Sequence, residues 1–414
     1  MADTQTPVTP ATTKPRKWRR LKFWSVVILA FVLVEGAARV HQHYKMGDLT
    51  TYKPRHLVDF YRFYRVNPEY RSATVRVNQA GFRDDEEITT AKPGNVVRVV
   101  MMGGSTVWGE NGLSQFGDVS SIDNRDTMAA HLETILNKRA ADRHSKIHVQ
   151  VINAGVVGYL LFQEEIYFST GITDYKPDLV IAMDGHNDLD ALQLGVPLYR
   201  HRNDGTFDRE MNHPLAFDLY REALRYGESK SIFVRKVSGK VTEYLNQMAV
   251  NAMAGRFTTP PAEPEITRWL DAYASTVRRF DAAAHIASTP ILFTIQNEMA
   301  GEHFKPLTAE ETVMHDKTYV NYRWLHTAMR DRLIAEMRTL QEQHGIWFSD
   351  VTDAFKDDRG QAYIDYTHLS GHGAEVMAGR LANLVEAEVF CDAAASHSPR
   401  CAASTTTATH GPSH

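Results

Sequence analysis

Four short segments of the chain gather the groups that acyl transfer requires. They are Gly103-Gly104-Ser105-Thr106, Asn153-Ala154-Gly155-Val156-Val157-Gly158, Asp184-Gly185-His186-Asn187-Asp188 and Asp365-Tyr366-Thr367-His368-Leu369. A serine hydroxyl is a poor nucleophile until a base takes its proton. Imidazole titrates near neutrality and suits that task. A carboxylate then fixes the ring's tautomer and stabilises the imidazolium of the transition state. Asp365 and His368 are three positions apart and can meet within one turn. The backbone N–H groups of Ser105 and Gly158, with the Asn187 side-chain amide, offer three donors to an oxyanion. Losing one such donor raises a barrier by on the order of 3 kcal/mol. Glycine at 158 lets the main chain come close to a substrate. Ser105, Asp365 and His368 are therefore the expected catalytic residues, and Ser105, Gly158 and Asn187 the expected oxyanion hole.

Strands and helices must place these segments together. Val96 to Met102, broken only by Arg98, reads as a strand covered on both faces. Further strands are expected at 149–152, 179–183, 291–295 and 346–348. Helices are expected on the stripe Met128, Leu132, Ile135, Leu136 and Ala140, on the stripe Ile266, Leu270, Tyr273, Val277 and Phe280, and over about 325–343 and 374–389. Repeated strand–helix alternation predicts a three-layer α/β/α domain with a mainly parallel sheet. Ligands of such sheets bind beyond the carboxyl ends of the strands, where all four segments fall. Residues 75–83 read as a short strand with a turn at Ala80-Gly81. The stretch from about 190 to 264 interrupts the rhythm as an insertion, helical near 241–248.

Other readings of the same residues lead elsewhere. Ser105 alone suits a helix N-cap. Gly104 and Gly109 have phosphate-loop spacing, but Glu110 stands where that loop needs lysine, which excludes nucleotide binding. The Gly-x-Ser-x-Gly elbow is missing around Ser105. Asn187-Asp188 alone fits a plain turn, and His368 a structural histidine. His372 lies four residues after His368 without a third metal ligand in view, so a surface role is expected. His186 faces the pocket or solvent. Glu298 and His303 follow a strand and are candidate substrate contacts. Trp108 and Phe116 border the pocket or pack a loop, and Asn78, Gly81 and Arg83 are structural.

Taken in order, the four segments resemble the blocks of the SGNH (GDSL-like) hydrolase superfamily, over roughly residues 97–388. Gly103-Gly104-Ser105 matches the serine block, with Gly104 where the family usually has Asp. Gly158 is the better fit to the glycine of the second block. Gly185-His186-Asn187-Asp188 and Asp365-Tyr366-Thr367-His368-Leu369 match the third and fourth. The Gly-Gly-Ser-Thr form, the basic-apolar N-terminus and the run from Asn78 to Arg83 are similar to membrane-anchored bacterial members. The resemblance implies a flavodoxin-like SGNH fold and an ester hydrolase without metal or organic cofactor. Its implied partner is an O-acyl ester, acetyl on a cell-surface glycan. An alcohol acceptor in place of water makes the same site an O-acyltransferase, and a glycan-binding pseudoenzyme shares the fold.

The whole chain sets the remaining bounds. Its 414 residues exceed one usual core, and its net charge of −4 implies no broad basic surface for nucleic acid. Lys14, Arg16, Lys17, Arg19, Arg20 and Lys22 precede an apolar run from Phe23 to Val34 that Gly36 to Val40 extend past Glu35 and Arg39. A basic flank ahead of an apolar segment predicts an exported remainder. The segment is either an uncleaved signal-anchor or a signal peptide cut near Gly36-Ala37-Ala38. The expected organisation is a disordered basic terminus (1–20), a transmembrane signal-anchor (21–40), a juxtamembrane segment (41–94), the hydrolase domain (95–390) and a disordered tail (391–414). The expected location is the bacterial inner membrane, single-pass, with the catalytic domain on the periplasmic side. Cys391 and Cys401 are free or joined in a small local disulfide.

Overall fold

Uninterrupted apolar runs become strands here because helices cover the sheet on both faces. The computed structural model describes residues 16–46, 55–72, 74–110, 122–194, 227, 230–234, 236–238, 240, 261–299, 305–317, 324–392 and 401. In chain order the elements are α1 (Arg16–Met46), β1 (His56–Asp59), β2 (Phe63–Val66), β3 (Val96–Gly103), α2 (Ser105–Trp108), α3 (Met128–Asp142), β4 (His148–Asn153), α4 (Leu161–Thr170), β5 (Leu179–Asp184) and α5 (His186–Leu194). There follow α6 (Glu263–Ile286), β6 (Ile291–Ile295), α7 (Ala309–Lys317), a π-helical turn (Leu325–Met329), α8 (Arg330–His344), β7 (Phe348–Ser349) and α9 (Gly371–Phe390).

The chain divides into two compact units. One comprises Lys53–Asn212 and Leu245–His414. Its sheet is wholly parallel, ordered β4-β3-β5-β6-β7, the doubly wound arrangement with a reversal beside β3. Strand side chains alternate between two cores. Val100, Met102, Ile152, Val180 and Phe293 meet α4, α6 and α8 on one face. Val99, Met101, Val151, Ile181 and Leu292 meet α3 and α9 on the other. The fold is thus a three-layer α/β/α sandwich. Arg98, the one charge in β3, is buried but satisfied: its Nε donates to Gln150 Oε1 at 2.8 Å and its Nη1 to Tyr175 O at 2.5 Å.

Two local expectations change. Residues 75–83 form no strand; a lone bridge joins Arg71 to Arg76, and the turn closes through Asn78, whose Oδ1 accepts from Phe82 N at 3.0 Å. Gly81 at φ +88° supplies the left-handed step of that turn. Ahead of it, β1 and β2 pair as an antiparallel hairpin that sequence reading did not single out. The rhythm also breaks later than 190, because α5 runs to Leu194. The helix expected near 241–248 lies outside the described residues. Cys391 and Cys401 are joined in a disulfide.

The other unit comprises Met1–Tyr52 and His213–Tyr244. Within α1, Arg20–His41 spans 22 residues at mean hydropathy 1.9 with none of it buried, long and apolar enough to cross a membrane. A signal sequence meets the same criterion. Glu35 does not stand bare at the edge of this run. Arg39, one turn on, pairs with it at 2.8 Å, and it accepts hydrogen bonds from Ser231 Oγ (2.7 Å), Ile232 N (3.1 Å) and Phe233 N (2.9 Å).

Candidate active site

Ser105 is the first residue of α2, immediately beyond the end of β3, and is buried. Two glycines let the chain turn there. A Cβ at Gly103 would lie 2.7 Å from Met183 O, and one at Gly104 would lie 2.4 Å from Asn187 Nδ2. A side chain at 104 would therefore require the Asn187 amide to shift. The far end of α2 is clamped. Asn153 Nδ2 donates to Val107 O at 2.9 Å, and Gly155 lies so close to Trp108 N that a Cβ would come within 2.4 Å. The buried Arg83 guanidinium donates to Trp108 O (2.5 Å), Gly109 O (2.9 Å) and Ile122 O. A cation on those carbonyls complements the negative end of the helix dipole. Asn78 and Gly81 thus shape the turn that leads to Arg83, Arg83 anchors the end of α2, and Trp108 packs in the core beside Arg83.

His368 and Asp365 come from the loop between β7 and α9. Tyr363 and Leu369 close that loop by an antiparallel bridge, and Met299 N holds it by donating to Tyr366 O at 2.9 Å. His368 Nε2 lies 2.8 Å from Ser105 Oγ, and its Nδ1 lies 2.7 Å from Asp365 Oδ2. The other Asp365 oxygen accepts from Thr367 N (2.9 Å) and His368 N (2.7 Å). Burial alone would raise the Asp365 pKa, but these hydrogen bonds and the imidazole hold it below the usual carboxylate range. An ionised Asp365 accepts from Nδ1–H and leaves Nε2 to receive the serine proton.

Asn187, in the first turn of α5, donates through Nδ2 to Tyr159 O at 2.8 Å, and the same amide abuts Gly104. The side chain has a second N–H to give. Gly158, at φ +80°, immediately precedes Tyr159, and a Cβ on it would come within 2.9 Å of the Tyr64 hydroxyl. Ser105, Gly158 and Asn187 are therefore brought to one corner of the sheet's carboxyl edge.

Ionisable groups that sequence reading did not assemble lie on either side of Asn187, all of them buried except the partly exposed Asp190. Glu164, Asp184 and Asp188 cluster beneath α5, all buried. Burial and mutual repulsion raise the pKa values of Glu164 and Asp188, and burial raises that of Asp184. Asp188 also accepts from Leu161 N at 3.3 Å. The second group comprises His186, Asp190, Glu298 and His326. Glu298 Oε1 is 2.9 Å from His186 Nδ1 and its Oε2 is 2.6 Å from His326 Nδ1. Asp190 spans the opposite ring nitrogens, 3.5 Å from His186 Nε2 and 3.1 Å from His326 Nε2. Burial would raise Glu298, yet the two imidazoles hold it far below the usual range.

Glu298 is thus buried against two histidines rather than presented to a substrate. His372 pairs with Asp358 at 2.8 Å, half exposed, and takes no part in this group. His303 and Phe116 lie outside the described residues. His326 escaped sequence reading because its partners are 136 and 28 positions away.

No family model matches the sequence, and neither does any curated protein. Among solved structures, the chain is similar to an alpha/beta hydrolase enzyme from the metagenome of Lake Arreo, Spain, at 16% identity and TM-score 0.39, covering 73% of this chain and 98% of that one. It is similar to an acetylxylan esterase from Geobacillus stearothermophilus at 14% identity and TM-score 0.36, covering 73% and 96%. It is similar to a protein of the G-D-S-L family from Desulfitobacterium hafniense at 10% identity and TM-score 0.37, covering 70% and 99%. Likenesses this distant carry no weight in the functional argument, which rests on the site itself.

Proposed function

We propose that the protein is a serine esterase of SGNH type that cleaves O-acyl esters through an acyl-enzyme on Ser105. The observation that supports this is the continuous line Ser105 Oγ–His368 Nε2 (2.8 Å) and His368 Nδ1–Asp365 Oδ2 (2.7 Å). Ser105 Oγ attacks the ester carbonyl carbon while His368 Nε2 takes its proton. Ser105 N–H, Gly158 N–H and the Asn187 amide receive the charge that develops on the carbonyl oxygen. The intermediate collapses, the ester C–O bond breaks, and His368 returns the proton to the departing alcohol. Water, deprotonated by the same histidine, then releases the carboxylic acid. Asp365 stays ionised throughout and holds the ring in place.

The acyl group we infer is acetyl, carried on a surface glycan, the substrate class implied by the block resemblance. We also infer that α1 anchors the chain once in the bacterial inner membrane with the catalytic unit outside the cytoplasm. The basic residues ahead of the apolar run of α1 support that orientation. The Cys391–Cys401 disulfide supports an oxidising compartment.

The test is release of p-nitrophenol from p-nitrophenyl acetate, followed by acetate release from acetylated polysaccharides. Wild type should exceed Ser105→Ala by about 10⁴-fold or more in kcat. Equal rates would remove Ser105 from the chemistry.

A further inference from the structure

The group formed by His186, Glu298 and His326 has no task in the ester reaction, and its donors converge. Their ligand atoms all lie within 4.8 Å of one another. The side chains are 6%, 1% and 0% exposed. They come from the first residue of α5, the segment after β6, and the π-helical turn. Such turns displace a side chain from ordinary helical register and recur at functional sites.

We propose that these three residues bind a first-row divalent transition ion, zinc foremost, with Asp190 as the outer partner of both histidines. The Nδ1 atoms of both rings face the two Glu298 oxygens, at 2.9 and 2.6 Å. A tetrahedral zinc with bonds near 2.1 Å sets its donors roughly 3.4 Å apart, so a small opening of the group admits the ion. On the far side, both Nε2 atoms face Asp190. A carboxylate that takes the outer N–H of a metal-ligating histidine fixes the tautomer and turns the other nitrogen's lone pair to the ion.

The donor types favour the same reading. Paired imidazoles with a carboxylate suit zinc and its neighbours, not calcium or magnesium, which take all-oxygen sites. The ion would tie the α5 turn beside Asn187 to the segment after β6. That segment in turn holds the catalytic loop through Met299 N and Tyr366 O. This inference does not rest on the esterase reading.

The test uses the full chain in detergent, stripped by chelator dialysis and titrated with Zn²⁺ and separately with Co²⁺. Wild type should take up one tightly held equivalent, show the visible absorption of protein-coordinated Co²⁺, and melt at higher temperature as Zn²⁺ increases. His326→Gln should abolish that equivalent, and Asp190→Asn should weaken it about 10–100-fold. Should His326→Gln fail to fold, the wild-type Co²⁺ spectrum and Asp190→Asn still decide. Wild type without saturable uptake or Co²⁺ absorption overturns the proposal. So does uptake that survives unchanged in the variants, which would locate the ion at other histidines.

Discussion

Two buried carboxyl groups of nearly the same depth, Glu164 and Glu298, behave in opposite ways on the two sides of Asn187. Glu164 has Asp184 and Asp188 for company, and burial with repulsion pushes its pKa well above the usual carboxylate range. Glu298 lies against His186 and His326, and although burial opposes it, these two partners hold its pKa far below the usual range. Burial alone therefore fixes neither state; the neighbours decide. Around Asn187, one side is a cluster of carboxyl groups pushed toward the neutral form, and the other a carboxylate held between two histidines.

The sharpest way to break this comparison is to neutralise each glutamate in turn. Glu298→Gln leaves two buried imidazoles facing an amide, and should cost about 3–5 kcal/mol of unfolding free energy in a urea titration. Glu164→Gln replaces a group that burial and its acidic neighbours push toward the uncharged form, so its cost should stay below about 1 kcal/mol. Equal losses would refute the contrast.

Asn187 lies between the two groups and tests whether they serve the site. Asn187→Ala should lower kcat about 10²–10³-fold with KM little changed, because the amide acts on charge that appears only in the transition state. A rise in KM with kcat intact would make Asn187 a substrate contact instead.

A smaller effect follows from pH. The folded pKa of Glu164 is raised, so its stabilising share is complete below the unfolded carboxyl pKa and declines as pH rises toward the folded value. The decline approaches about 1.4 kcal/mol per pH unit for one proton. Unfolding free energies measured from pH 4 to 8 should fall less steeply for Glu164→Gln than for wild type, since Asp184 and Asp188 remain. A parallel fall in both would assign the dependence to other groups.

Much of the fold was legible because its strands are buried on both faces. Val96 to Met102 and Ile291 to Ile295 leave no polar face to confuse with a helix. The hairpin of β1 and β2 was not, since four-residue strands such as Phe63–Val66 carry too few positions to establish a period. The four catalytic segments were readable because each sits just beyond a strand or, for Asp365 and His368, within one tight loop. The ionisable groups around Asn187 were hidden for the opposite reason. Glu298 and His186 are 112 positions apart, and only the parallel pairing of β5 with β6 brings them together.

The central claim is that Ser105 is made nucleophilic by His368, and covalent labelling tests it most directly. A fluorophosphonate ester added to the full-length chain should add one phosphonyl group, found by mass spectrometry on the peptide containing Ser105. His368→Ala should slow that labelling by about 10³-fold or more. Adduct on another residue, or labelling of wild type no faster than His368→Ala, would contradict the account.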